Sequence, residues 1–161
     1  MSPEQFVRRI LDPSLCIASD LIAISITPEA RVLLMAIAGQ ESGLYARWQI
    51  GAPQYGRGFW MFERNGITGV ATHQASAEKL GLLCAGLMIP EVLPQIHNAI
   101  AWNDVLAVGM ARLLLFTDTA AIPAIGQEEA AWDMYLRNWR PGTPREEHWP
   151  TNYQTAVDTC G

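Results

Sequence analysis

Residues 27–44, TPEARVLLMAIAGQESGL, decide how the chain is read. Thr27, Pro28 and Glu29 supply an N-cap, a first-turn proline and an early acid, the order in which a helix start wants them. Ala30, Leu33, Leu34, Ile37 and Ala38 then form one apolar stripe, and Val32, Met35 and Ala36 make the other faces apolar as well. Such a helix is expected to be buried nearly all round. Glu41 continues the stripe where another core residue is expected, and Ser42-Gly43 ends the helix. A carboxyl group at the edge of a core, with its charged form disfavoured by apolar neighbours and by the negative helix end, holds its proton toward neutral pH and can act as an acid. The competing reading is a solvated glutamate at a helix end.

Outward from this helix the chain stays helical. Phe6, Val7, Ile10 and Leu11 predict a short amphipathic helix over residues 3–11, ended by Asp12-Pro13. Residues 43–58, GLYARWQIGAPQYGRG, read as an irregular connection, a class of segment that often carries function. Thr72 is expected to cap a helix through Ala75, Leu80, Leu83 and Cys84, and Pro90 to open another through Val92, Leu93 and Ile96. After Asn103 or Asp104, the segment VLAVGMARLLLF (105–116) carries Arg112 as its only charge and is expected to be the central buried helix. A further helix is predicted from Glu128 to Trp139, stopped by Arg140-Pro141-Gly142, and a last one from Pro150 through Val157. No alternating strand pattern or internal repeat is evident. The expected fold is mostly α, one domain over residues 1–161, with little or no sheet.

Composition narrows the function classes. Half of the 161 residues are apolar, enough for one sizeable core. Eleven lysines and arginines against sixteen acids give a net charge of −5, which repels a phosphate backbone, so no nucleic-acid partner is expected. Cys16, Cys84 and Cys160 lack disulfide or metal spacing and are expected to be buried thiols. His73, His97 and His148 are scattered, so no metal and no cofactor are expected. The apolar runs are short and interrupted, and the amino terminus has no long apolar segment behind its arginines, so neither membrane insertion nor a secretion signal is expected.

AIAGQESGL at 36–44 and GRGFWMFE at 56–63 together resemble the lysozyme-like superfamily. More narrowly they are similar to soluble lytic transglycosylases and goose-type lysozymes, where a helix ends in a catalytic Glu-Ser and a Gly-aromatic-or-Leu-Met-Gln motif follows. Lysozyme-like proteins of tailed phages and prophages show a similar GRGFW segment and a segment similar to AWDMYLRNWRPG at 131–142. The resemblance spans most of the chain and implies a lysozyme-like helical fold. It implies Glu41 as general acid on the bond between muramic acid and glucosamine, with Ser42, Phe59, Trp60, Met61, Glu63 and Tyr135 along the substrate.

Within that resemblance, several roles have two readings. Phe59, Trp60 and Phe62 divide between packing and a groove wall for sugar stacking, with Trp60 the foremost stacking candidate. Met61 stands where the family has a glutamine and cannot make the same hydrogen bonds. Glu63 is either a second carboxylate at the substrate or the partner of Arg64 in a surface ion pair. Tyr135 either holds the acid, as a late-helix tyrosine does in the family, or packs in the core. With a single well-placed carboxylate, the resemblance favours attack by the muramic 6-hydroxyl, giving a 1,6-anhydro end, over hydrolysis with water positioned by Glu63. Its implied partners are peptidoglycan strands and, in the rival reading of a noncatalytic virion or tail component, other phage proteins. The implied place is a phage particle, or the host cytoplasm before delivery to the cell wall.

Overall fold

The computed structural model describes residues 1–161. The chain forms nine α-helices: α1 (Pro3–Phe6), α2 (Asp12–Ile22), α3 (Pro28–Ser42), α4 (Arg64–Thr72), α5 (Ala77–Gly86), α6 (Leu93–Ile100), α7 (Asp104–Phe116), α8 (Glu128–Trp139) and α9 (Trp149–Cys160). A π-helical turn, Val7–Leu11, joins α1 to α2. There is no strand, only isolated bridges of Arg57 with Trp48 and with Phe62. The mostly helical class expected from the sequence is observed.

Local signals fix the best-read ends. Thr27 is extended, its hydroxyl accepts the Ala30 N–H at 3.2 Å, and α3 stops at Gly43 in the left-handed region, φ 60°. Asn103 caps α7 by accepting the Leu106 N–H at 2.9 Å. Arg140 ends α8 in the left-handed region at φ 50°, followed by Pro141, which has no N–H with which to continue a helix.

Four expectations are corrected. Asp12-Pro13 does not end the first helix, because the π turn before it widens the backbone: the Asp12 N–H reaches back to the Val7 carbonyl, five residues away. That wider turn accommodates a proline that would otherwise clash one turn back. Thr72 is the last residue of α4 rather than a cap, with its hydroxyl donating to the Thr68 carbonyl at 2.8 Å. The proline that opens α6 is Pro94, in the first turn after the extended Val92, and not Pro90. Cys84 and Cys160 are buried, but Cys16 is exposed on α2.

Every helix contributes to one hydrophobic core of forty buried residues. Nine of the thirteen residues of α7 are buried, Arg112 among them, so α7 is the central helix its composition predicts. It packs chiefly on α2, and α3 packs chiefly on α9. Gln40 and Asn152 lock the end of α3 to α9: the Asn152 amide donates to Gln40 Oε1 at 2.8 Å, and the Gln40 amide donates to the Arg145 carbonyl at 2.8 Å. The last turn of α3, which carries Glu41, is thus fixed against its neighbour. No single helix is long and apolar enough to cross a membrane.

Candidate active site

Glu41 sits one residue before the end of α3 and is partly exposed. Burial pushes its carboxyl group up to about 7 from an ordinary 4.5, the negative charge of Glu63 adds to the rise, and a hydrogen bond from Tyr135 opposes it. The desolvation anticipated from the apolar stripe therefore outweighs the stabilising bond. At this value the group exchanges its proton near neutrality, as a general acid that later turns base requires.

Tyr135 lies in the middle of α8, 2% exposed, and its hydroxyl donates to Glu41 Oε1 at 2.6 Å. Its ring stacks on Trp149 at 5.4 Å with an interplanar angle of 12°, and packs at 5.2 Å against Trp132. The ring is thus core while the hydroxyl bonds Glu41. Burial and the neighbouring carboxylate hold the phenol well above its ordinary range, so it remains a donor. Asn138 turns elsewhere, donating to Asp118 Oδ2 at 2.7 Å.

The motif at 56–63 builds a tight turn. Arg57 and Phe62 exchange two backbone hydrogen bonds, of 3.1 and 2.9 Å, and enclose Gly58-Phe59-Trp60-Met61. Gly58 has φ +70°, and a Cβ there would stand 2.7 Å from Ile100 Cγ2 and 3.1 Å from the Ile100 carbonyl, so no other residue fits without a shift. Phe59 and Trp60 are 1% and 0% exposed, which corrects the expectation of a stacking wall: a sugar finds no free face on either. Trp60 is instead a core anchor whose indole N–H donates to the Leu34 carbonyl at 2.9 Å, while Trp139 donates to the Trp60 carbonyl at 3.0 Å. Phe62 is buried too, 6.1 Å from Trp139.

Ser42 is buried and its hydroxyl donates to the Ala38 carbonyl at 2.7 Å, so it finishes the helix rather than facing a ligand. Met61 is half-buried at φ 47°, with its side chain against Gly56. Glu63 is exposed at the start of α4, makes no side-chain cap bond, and has no cation within salt-bridge distance, so the expected alternative of an Arg64 ion pair does not form. It lines an open pocket of about 300 Å³ with Gln54, Tyr55, Arg64 and Asn65. Glu41, Tyr135 and Glu63 are thus the polar members the fold brings together; Ser42, Phe59 and Trp60 support them from the core. His, Cys, Asp and Glu side chains nowhere gather in a group that could hold a metal ion.

The 43–58 connection is aromatic in sequence, but which of its rings are exposed is not marked there. Tyr45, Trp48 and Tyr55 face solvent there, and Trp102, at the corner between α6 and α7, lies 5.3 Å from Trp48. Without a helical or strand period, nothing in that connection separates an exposed ring from a buried one. Comparison with protein-family models, with curated proteins and with solved structures finds no match.

Proposed function

We propose that the chain cleaves the glycan strand of peptidoglycan at the bond between muramic acid and glucosamine, with Glu41 as general acid and then general base. The observation that carries this reading is the Tyr135 hydroxyl, 2.6 Å from a carboxyl group that burial brings to about 7. Glu41 protonates the glycosidic oxygen as the C1–O4 bond breaks, and the glucosamine end leaves as an alcohol. The muramic 6-hydroxyl then attacks C1, and its proton passes to the Glu41 carboxylate, restoring the acid and leaving a 1,6-anhydro ring. Tyr135 steadies the carboxylate while it is charged. Hydrolysis is the alternative outcome, with water in place of the 6-hydroxyl and exposed Glu63 to orient it. A phage or prophage setting follows from the sequence resemblance.

A noncatalytic structural role in a phage particle is favoured by one feature, Met61, whose thioether cannot supply the hydrogen bonds of the family's glutamine. Purified protein mixed with isolated peptidoglycan, with released muropeptides read by mass spectrometry, separates the two. Release by the wild type and none by Glu41→Gln supports the enzyme; release by neither overturns it. Anhydro ends against reducing ends then decide between the two reactions.

A further inference from the structure

Tyr45, Trp48 and Trp102 are 66%, 42% and 70% exposed, although burying an aromatic ring is worth about 2–3 kcal/mol. They stand together. The Trp48 and Trp102 rings are 5.3 Å apart and tilted by 57°, and Tyr45, Ala46, Arg47, Trp48 and Ile50 line an open pocket of about 270 Å³.

The rings rest on a rigid base. The Arg47 guanidinium donates twice to Asp104, at 2.6 and 3.0 Å, and once to the Ala101 carbonyl at 3.2 Å. It also lies 4.6 Å from the centre of the Phe59 ring, and the Arg47 carbonyl accepts the Gly58 N–H at 2.9 Å. One arginine thereby fixes the Trp48 segment both to the corner carrying Trp102 and to the turn that follows Glu41 in the site. Asp104 neutralises its charge locally, so the patch offers ring faces with little net charge.

The patch begins directly after the helix that carries Glu41. Tyr45 lies against Gly43, where a Cβ would stand 2.9 Å from its ring, and Gly43 ends the helix that carries Glu41. The Tyr45 and Ala46 N–H groups both bond back to the Ser42 carbonyl, which keeps this stretch tight against the helix end. Trp48 follows Glu41 by seven positions, a reach of at most about 25 Å.

We propose that Tyr45, Trp48 and Trp102 form a sugar-stacking platform that holds the glycan strand away from the bond being cut. This rests on the reading of Glu41 as a glycan-cleaving acid. A linear polysaccharide has to extend beyond the scissile bond, and its rings offer apolar C–H faces that stack on preformed aromatic surfaces. The uncharged character of the patch suits a sugar better than a charged peptide, and Trp48 and Trp102, brought together at 5.3 Å from two separate connections, make one preformed ring surface. A protein partner on the same patch is the competing occupant.

The test compares Glu41→Gln with a variant that adds Trp48→Ala and Trp102→Ala, measuring co-sedimentation with purified sacculi and calorimetric titration with chitohexaose. Thermal melts verify folding, and Trp48→Phe with Trp102→Phe is expected to restore binding. The platform predicts at least a tenfold loss of affinity in the alanine variant. With Glu41 intact, it predicts a KM for sacculi that rises more than kcat falls, with an unchanged pH profile. Cleaving wild type with alanine variants equal to it in KM and binding overturns the platform and leaves the enzyme standing. Glycan binding that needs the two tryptophans, in a protein that releases no muropeptide, supports sugar stacking on these rings but overturns the enzyme and, with it, their place beside a bond being cut. Neither cleavage nor glycan binding by any form overturns both.

Discussion

The Tyr135 hydroxyl reaches Glu41 Oε1 at 2.6 Å across 94 residues of sequence. The bond favours the ionised carboxylate, whereas burial favours the protonated acid, and burial prevails. Tyr135→Phe removes only the bond. The acid then keeps its proton to higher pH, so the alkaline limb of the rate profile moves upward. Loss of support for the charged form lowers kcat by about tenfold, equivalent to roughly 1.4 kcal/mol. Initial rates of muropeptide release across pH check both effects.

Glu41 also ties stability to pH. The folded chain retains its proton up to about 7 and the unfolded chain only to about 4.5, so the folded state binds more protons between these values. Stability from this group is fully present below the unfolded value and is lost as pH rises through 7. Glu41→Gln cannot ionise and still offers Tyr135 an acceptor. It is expected to gain on wild type between about pH 5 and pH 8, by about 2–3 kcal/mol, visible as a widening gap in urea midpoints.

Trp60 and Trp48 are expected to behave oppositely. Trp60→Ala empties a fully buried site and frees the Leu34 carbonyl from its indole partner, costing about 3–5 kcal/mol in chemical denaturation. Trp48→Ala, at a ring 42% exposed whose aromatic neighbour is Trp102, is expected to cost only about 1 kcal/mol.

Arg112 is a charge in the central helix, 7% exposed, without an ion pair and with no acceptor for its Nε. Burial holds its proton affinity below the ordinary arginine range. Arg112→Met keeps much of the side-chain length and removes the desolvated charge, so it is expected to raise Tm, by about 1–2 kcal/mol in stability. A calorimetric melt checks the sign.

Gly58→Ala places a methyl group against Ile100 at a φ of +70° and is expected to cost about 2 kcal/mol or more. Because the same glycine closes the turn between Arg57 and Phe62, muropeptide release should fall further than stability alone explains.

Legibility followed locality. Thr27, Asn103 and Arg140-Pro141 act within their own turn, and the helix ends they set were readable from neighbours in sequence. The desolvated setting of Glu41 was readable as well, because it continues an apolar stripe on one helix. The helix α4 was not readable: its RNGITGVAT sequence has two glycines and β-branched residues, weak helix formers, and it is held through Ile67 and Val70 in the core. The continuation past Pro13 depends on a π turn with no sequence signal of its own. The partnership of Tyr135 with Glu41 spans two distant helices, so residue spacing could not show it and only the family resemblance suggested it.

One helix, α8, touches the site twice: Tyr135 meets the acid, and Trp139, one turn later, holds the Trp60 carbonyl in the turn that leads to Glu63. A helical turn rises about 5.4 Å and hardly stretches. It therefore works as a ruler between Glu41 and the turn that leads to Glu63. Any shift of α8 along its axis changes the bond to Glu41 and the position of the turn together, so the proton affinity of Glu41 and the placing of Glu63 respond to a single mechanical coordinate.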